Sequence, residues 1–291
     1  MKYYFLSLIS LIFPNTFQTS LGQCTLKIYD GKIKNIPELI EIINNETNKL
    51  TRELGIIQQD PFSIHITNSL KKFNSIAGPA PVWSIAIAKN TPNKIIMKAP
   101  SVAKISYSHF LKVLKHELNH IYMFQLNKYS TIPSWFKEGM AMHFSKEFSL
   151  LHKIEISHYA WKKKLVPLIK LNKINKKNNK NITLQYAESA AAIECLIFYY
   201  GKNIIIEIFK NLHLNQDFKL ALENAINEDY VDFQIKFSSF LNENYKWIFL
   251  LKAGKHIYVI LPFILIIGFY YKYFKNKKIL KLWELEEELE N

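Results

Sequence analysis

The residues His116-Glu117-Leu118-Asn119-His120 set two imidazoles four positions apart, with a carboxylate beside the first. On a helix, positions four apart lie one turn above each other on the same face, so both imidazoles can reach one metal ion while Glu117 sits next to it. A third donor is available in Glu138, within Pro133-Ser134-Trp135-Phe136-Lys137-Glu138-Gly139. Two neutral imidazoles and one carboxylate leave a divalent ion one net positive charge and an open position, the make-up of catalytic rather than structural zinc. Such a set supports hydrolysis, with Glu117 as the general base that takes a proton from water and passes it to a leaving amine. The plain alternative is a pair of surface histidines on an amphipathic helix with Glu117 as a solvated charge; the second carboxylate motif argues against it. His109 lies two turns before His116, about 10 Å along the axis, too far to share an ion with it.

These residues need two helices to position them. Apolar side chains at Tyr107, Phe110, Leu111, Leu114, Leu118, Ile121 and Tyr122 recur with helical spacing, so the histidine pair sits mid-helix. A second helix is expected over Pro133 to Phe144, where proline suits a first position and Phe136, Met140, Ala141 and Phe144 form an apolar face. Folded back on the first, it delivers Glu138.

The two segments resemble the gluzincin branch of zinc metallopeptidases, and more closely the membrane-associated peptidase MA-like proteins, whose second motif reads Pro-x-Trp-x-x-Glu-Gly-x-Ala. Here those positions are Pro133, Trp135, Glu138, Gly139 and Ala141. The resemblance runs roughly from residue 35 to 245 and takes in Tyr186, Ser189 and Ala190 at the opening of a later helix and Tyr200-Gly201 at its close. It implies zinc on His116, His120 and Glu138, Glu117 as base, and a peptide or protein substrate. It also favours Tyr186 as the donor to the oxyanion, with His143 and His158 as alternatives. One departure stands out. Many gluzincins place a carboxylate four residues after the glutamate ligand to hold a zinc histidine, and this chain has Met142 there. Support for the histidine must come from elsewhere.

Around these helices the chain reads as α+β and zincin-like: a small mixed sheet with the active-site helix, then a helical subdomain, plus one C-terminal transmembrane helix. Pro37 to Leu54 reads as a helix stopped by Gly55, and Phe62 to Thr67, Trp83 to Ala88 and Asn93 to Lys98 read as strands. Asn93 to Lys98 is expected at the sheet edge, where an extended peptide can add as a further strand.

The charge of +14 comes from 38 basic residues, of which only Arg52 is arginine. Nucleic-acid sites favour arginine and interleaved aromatics, and neither pattern appears, so no nucleic-acid partner is expected. Met1-Lys2, the apolar run Tyr3 to Phe13, Pro14 and the small residues Ser20 and Gly22 have the layout of a secretory signal over 1–22, with cleavage after Gly22. Lipidation of Cys24 is an alternative. A domain over 23–250 follows. Ile257 to Tyr271 is free of charge, which suggests a membrane span at 256–273. Lys272, Lys275, Lys277, Lys278 and Lys281 then put the tail, 274–291, in the cytoplasm. The expectation is a single-pass protein of the cell membrane with its zinc domain on the extracytoplasmic side. A zinc module used only for partner recognition, and a zinc hydrolase of a non-peptide cell-wall amide, share the same residues.

Overall fold

A computed structural model describes residues 15–31, 33, 35–55, 58–78, 83–126, 132–174, 181–215, 217–251 and 254–290. The order is β1 (Asn15–Thr19), β2 (Gly22–Tyr29), α1 (Ile36–Leu54), β3 (Phe62–Thr67), α2 (Leu70–Ala77), β4 (Ala86–Lys89), β5 (Lys94–Lys98), the single turn α3 (Pro100–Ala103) and α4 (Tyr107–Leu126). A helical half follows: α5 (Ser134–Phe144), α6 (Leu150–Trp161), α7 (Ile182–Tyr200), α8 (Ile204–Asn215), α9 (Phe218–Ile226), α10 (Tyr230–Tyr245) and α11 (Gly254–Glu290). The α+β reading holds, with a five-stranded mixed sheet and a mostly helical body.

The sheet runs β1-β2-β3-β5-β4, with β2, β3 and β5 parallel and the outer two strands antiparallel to their neighbours. Phe62, Ile64 and Ile66 of β3 point into the main core, together with Ile95 and Met97 of β5. Ile96 points the other way, onto Phe73 and Ala77 of α2. A strand buried on both faces is interior. This corrects the expectation that Asn93–Lys98 forms the edge: the edge is β4, whose four residues are all half-buried. The unbroken run Ile95-Ile96-Met97 was the signal for an interior strand.

The N-terminal boundary also differs from expectation. β1 pairs with β2 from Asn15↔Leu26 to Thr19↔Gly22, and both Leu21 and Cys24 are fully buried. A cut after Gly22 would remove an edge strand and a core side chain, so the fold extends at least to Asn15; the apolar run 3–13 lies outside the described residues. Cys24 is an inward-facing strand residue whose thiol burial pushes up to about 12, and Cys195 is a buried free thiol as expected.

Among the described residues no helix is long and apolar enough to cross a membrane. The span expected at 256–273 begins in residues whose side chains lie outside the described set, and 261–273 is helical and exposed throughout.

Aromatic packing fixes the helical half. Trp135 of α5 is fully buried, with its ring 5.5 Å from Phe136, 5.8 Å from Phe218 of α9 and 6.3 Å from Phe233 of α10. The motif tryptophan is thus the wedge that seats the Glu138 helix on the helices behind it. Truncating such a ring costs about 3–5 kcal/mol.

Candidate metal centre

α4 packs on β4, β5, α1 and α5. Its face toward α5 presents His116, Glu117 and His120, and α5 presents Glu138 opposite them. The three donor atoms converge: Nε2 of His116 and Nε2 of His120 are 3.2 Å apart, and Oε2 of Glu138 is 3.5 Å from the first and 3.6 Å from the second. A tetrahedral zinc with bonds of about 2.0–2.2 Å holds its ligand atoms about 3.3–3.6 Å apart. The triangle matches that spacing, and among the described residues it is the group of histidine, cysteine and carboxylate side chains that can hold an ion. Its donors are those of zinc.

The carboxylate missing at Met142 is supplied by Glu147. Its Oε2 lies 2.7 Å from Nδ1 of His116. An ionised carboxylate only accepts, so His116 donates its Nδ1 proton to Glu147 and keeps the lone pair of Nε2 for a metal. The turn after α5 makes this contact. Lys146 takes a left-handed φ of 59°, and the N–H groups of Glu147 and Phe148 both bond back to Met142 O, at 3.0 and 3.3 Å. The chain reverses there and returns Glu147 to α4.

Burial by itself would lower the pKa of His116, but hydrogen bonds to Glu138 and Glu147 and the charges of Glu147 and Glu117 push it up to about 10. Three carboxylates around two imidazoles make a pocket that demands a cation.

The centre opens into a cleft of about 850 Å³ whose walls include His116, Glu117, His120, Glu138, Glu147 and Tyr186, with Trp83 to Ala88 along one side. Every residue named from the sequence as ligand or base therefore faces one space, and Tyr186 faces it too. His109 lines the cleft but is exposed. His143 and His158 are not in the cleft lining: His143 is half-buried near Glu194 and Lys49, and His158 is exposed on α6.

A family model described as the Peptidase MA superfamily matches residues 43–243. The chain belongs to that superfamily. No curated protein matches it. Among solved structures it is similar to a two-domain M1 zinc metallopeptidase variant bound to L-arginine, at 11% identity and TM-score 0.43, covering 78% of this chain and 50% of that one. It is also similar to an M1 zinc metallopeptidase from Deinococcus radiodurans, at 10% identity and TM-score 0.44, again covering 78% and 50%. The chain spans about half the length of each.

In this Peptidase MA member the glycine after the third ligand has a packing cause. A Cβ on Gly139 would stand 2.3 Å from Ser189 O and 2.8 Å from its carbonyl carbon. α5 and α7 therefore touch backbone to backbone here, with Ala187, Ser189, Ala190, Ala191 and Ala192 all fully buried. That close approach brings the start of α7, one turn before Ser189, to the cleft, which is why Tyr186 arrives there. The signals Gly139 and Ser189-Ala190 are thus two halves of one contact. Sequence reasoning missed Glu147 and also His152, which lines the cleft and accepts from Ser149 N–H at 3.2 Å. An acidic residue in the turn just after the Glu138 helix was the available clue.

Proposed function

We propose that the chain is a zinc-dependent peptidase in which His116, His120 and Glu138 hold the ion and Glu117 is the general base. The observation that carries this reading is the triangle of donor atoms at 3.2, 3.5 and 3.6 Å beside a buried glutamate in an open cleft. Zinc, when bound, supplies a Lewis acid that acidifies water and polarises a carbonyl.

The chain's own residues do the rest. Glu117, 7% exposed, takes the proton of the attacking water and carries it to the leaving nitrogen. Tyr186, which lines the same cleft, donates a hydrogen bond from its O–H to the developing oxyanion. Glu147 keeps the His116 ring in one tautomer. β4 is an antiparallel edge strand along the cleft wall, so a substrate segment adds to it as an extended strand and presents a peptide bond to the centre.

We further propose that the helical C-terminal segment anchors the chain in a membrane over 256–273, with the zinc domain extracytoplasmic and 274–291 cytoplasmic. The charge-free run Ile257 to Tyr271 and the lysines that follow it support this.

The test is a peptide-library digest by the full chain, zinc-loaded, stripped with a chelator and then reloaded. Cleavage that disappears and returns with zinc supports the reading. Stoichiometric zinc with no cleavage of any peptide overturns it and favours a binding module or a non-peptide amide as substrate.

A further inference from the structure

Away from the cleft, two tryptophans from separate helices meet on the surface. Trp161 ends α6, and Trp247 stands in the turn after α10. Their rings pack edge to face at 5.1 Å, and Phe249 packs on Trp161 at 5.2 Å. Lys246 Nζ lies 5.3 Å from the centre of the Trp161 ring and 5.8 Å from that of Trp247. The group is not buried by this packing: Trp161 is 44% exposed, Trp247 58% and Leu250 46%. It is held firmly all the same. Ser157 Oγ donates to Lys246 O at 2.8 Å and accepts from Phe249 N–H at 2.8 Å, which staples the turn to α6.

Cations frame the aromatic group. Lys162, Lys163 and Lys164 follow Trp161 directly and are exposed. Lys163 takes a left-handed φ of 53° at the close of α6, a position where glycine is the easiest residue, so the chain carries a charged side chain there at a conformational cost. Along the chain the turn is followed by Ile248–Leu251 and, from Gly254, by α11.

We propose that this face rests on the headgroup layer of an anionic membrane. Indole rings have an apolar body and a polar N–H and favour the boundary between headgroups and acyl chains. Lysines beside them meet anionic headgroups, with attraction that falls off within a Debye length. Two exposed tryptophans, one ending α6 and one in the turn stapled to it, with Lys246 against their rings and three exposed lysines directly after Trp161, supply both parts of that recognition. The face extends the membrane reading of α11 but consists of different residues, and it fixes which side of the zinc domain lies against the lipid.

The test uses the full chain with phosphatidylcholine vesicles, alone or mixed with phosphatidylglycerol, carrying lipids brominated near the headgroup end of the acyl chain. Tryptophan quenching, flotation and bound zinc are read together for wild type, for Trp161→Phe with Trp247→Phe, and for Lys162, Lys163 and Lys164 all changed to Gln. The expected result is quenching in the anionic vesicles that falls by about half or more in the tryptophan variant, and that is weakened by the lysine variant and by added salt. Zinc binding stays unchanged, which reports an intact fold. Flotation with quenching equal in all three proteins overturns the proposal and leaves the α11 anchor standing. Failure to float in phosphatidylcholine, with binding to anionic vesicles that needs the two tryptophans, removes the anchor and leaves the face. Self-association through the same tryptophans without quenching assigns the face to a second copy of the chain and overturns the proposal.

Discussion

Replacing Glu147 by Ala removes the acceptor 2.7 Å from Nδ1 of His116, in a contact where the two side chains are only 12% and 18% exposed. Loss of a carboxylate behind a metal histidine costs about 10–100-fold in metal affinity, which is about 1.4–2.7 kcal/mol. A second effect works against this. Glu147 also helps hold a proton on His116, pushed up to about 10, and zinc must displace that proton at neutral pH. Deleting Glu147 lowers that proton's hold and so returns part of the affinity. The relief is largest where the wild-type imidazole is fully protonated and fades as pH climbs toward about 10. The affinity loss in Glu147→Ala is therefore near the low end, about tenfold, around pH 7 and grows toward about a hundredfold as the pH is raised. Glu147→Gln keeps an acceptor without the charge and falls between the two. Competition with a chromophoric zinc chelator over that pH range, with circular dichroism as the check on folding, reads this directly. Affinity within about twofold of wild type at every pH, or a loss that shrinks as pH rises, would refute the role given to Glu147.

Other outcomes follow from the same structure. Glu188 is fully buried and accepts from Val166 N–H at 2.9 Å, and burial pushes its carboxyl up to about 8. A raised carboxyl pKa favours the fold while the group is protonated. That contribution is whole below about pH 4.5 and is lost as pH rises through about 8, at about 1.4 kcal/mol per unit. Glu188→Gln keeps the hydrogen bond without the charge, so urea unfolding should show it gaining on wild type across that window; parallel pH profiles would contradict this. Gly139→Ala drives a Cβ to 2.3 Å from Ser189 O, so α7 must shift, at about 1–3 kcal/mol of stability in thermal melts and with a fall in kcat as Tyr186 moves. Tyr186→Phe should retain stoichiometric zinc and lose about 10²-fold in kcat, and an unchanged kcat would reassign the oxyanion donor.

The parts of the site carried by short-range pattern were legible in the sequence. The helical spacing through Leu114, Leu118, Ile121 and Tyr122 gave α4 at Tyr107–Leu126, and β3 was found at its full extent, Phe62–Thr67. The two motifs named every donor of the triangle because each donor sits on a helix whose own periodicity fixes its direction. Glu147 escaped because it acts from a non-helical turn across 31 residues, and the left-handed Lys146 that aims it has no strong signature when the residue is not glycine. The β1–β2 hairpin escaped because an apolar N-terminal run reads first as a leader, although the segment after it pairs into the sheet. The strand order escaped for a different reason. Which strand lies outermost depends on a reversal between β4 and β5 that brings Ala86 opposite Met97, and pairing across a hairpin is a property of the assembled sheet.

The claim that the centre is a working hydrolytic site rests on Glu117 more than on any other residue, since a metal-holding scaffold has no need of a buried carboxylate beside its ligands. The decisive measurement is zinc content and peptide cleavage in Glu117→Gln against wild type. The account predicts one zinc in each protein and a loss of cleavage of at least about 10²-fold in the variant. A Glu117→Gln protein that cleaves as fast as wild type would contradict it.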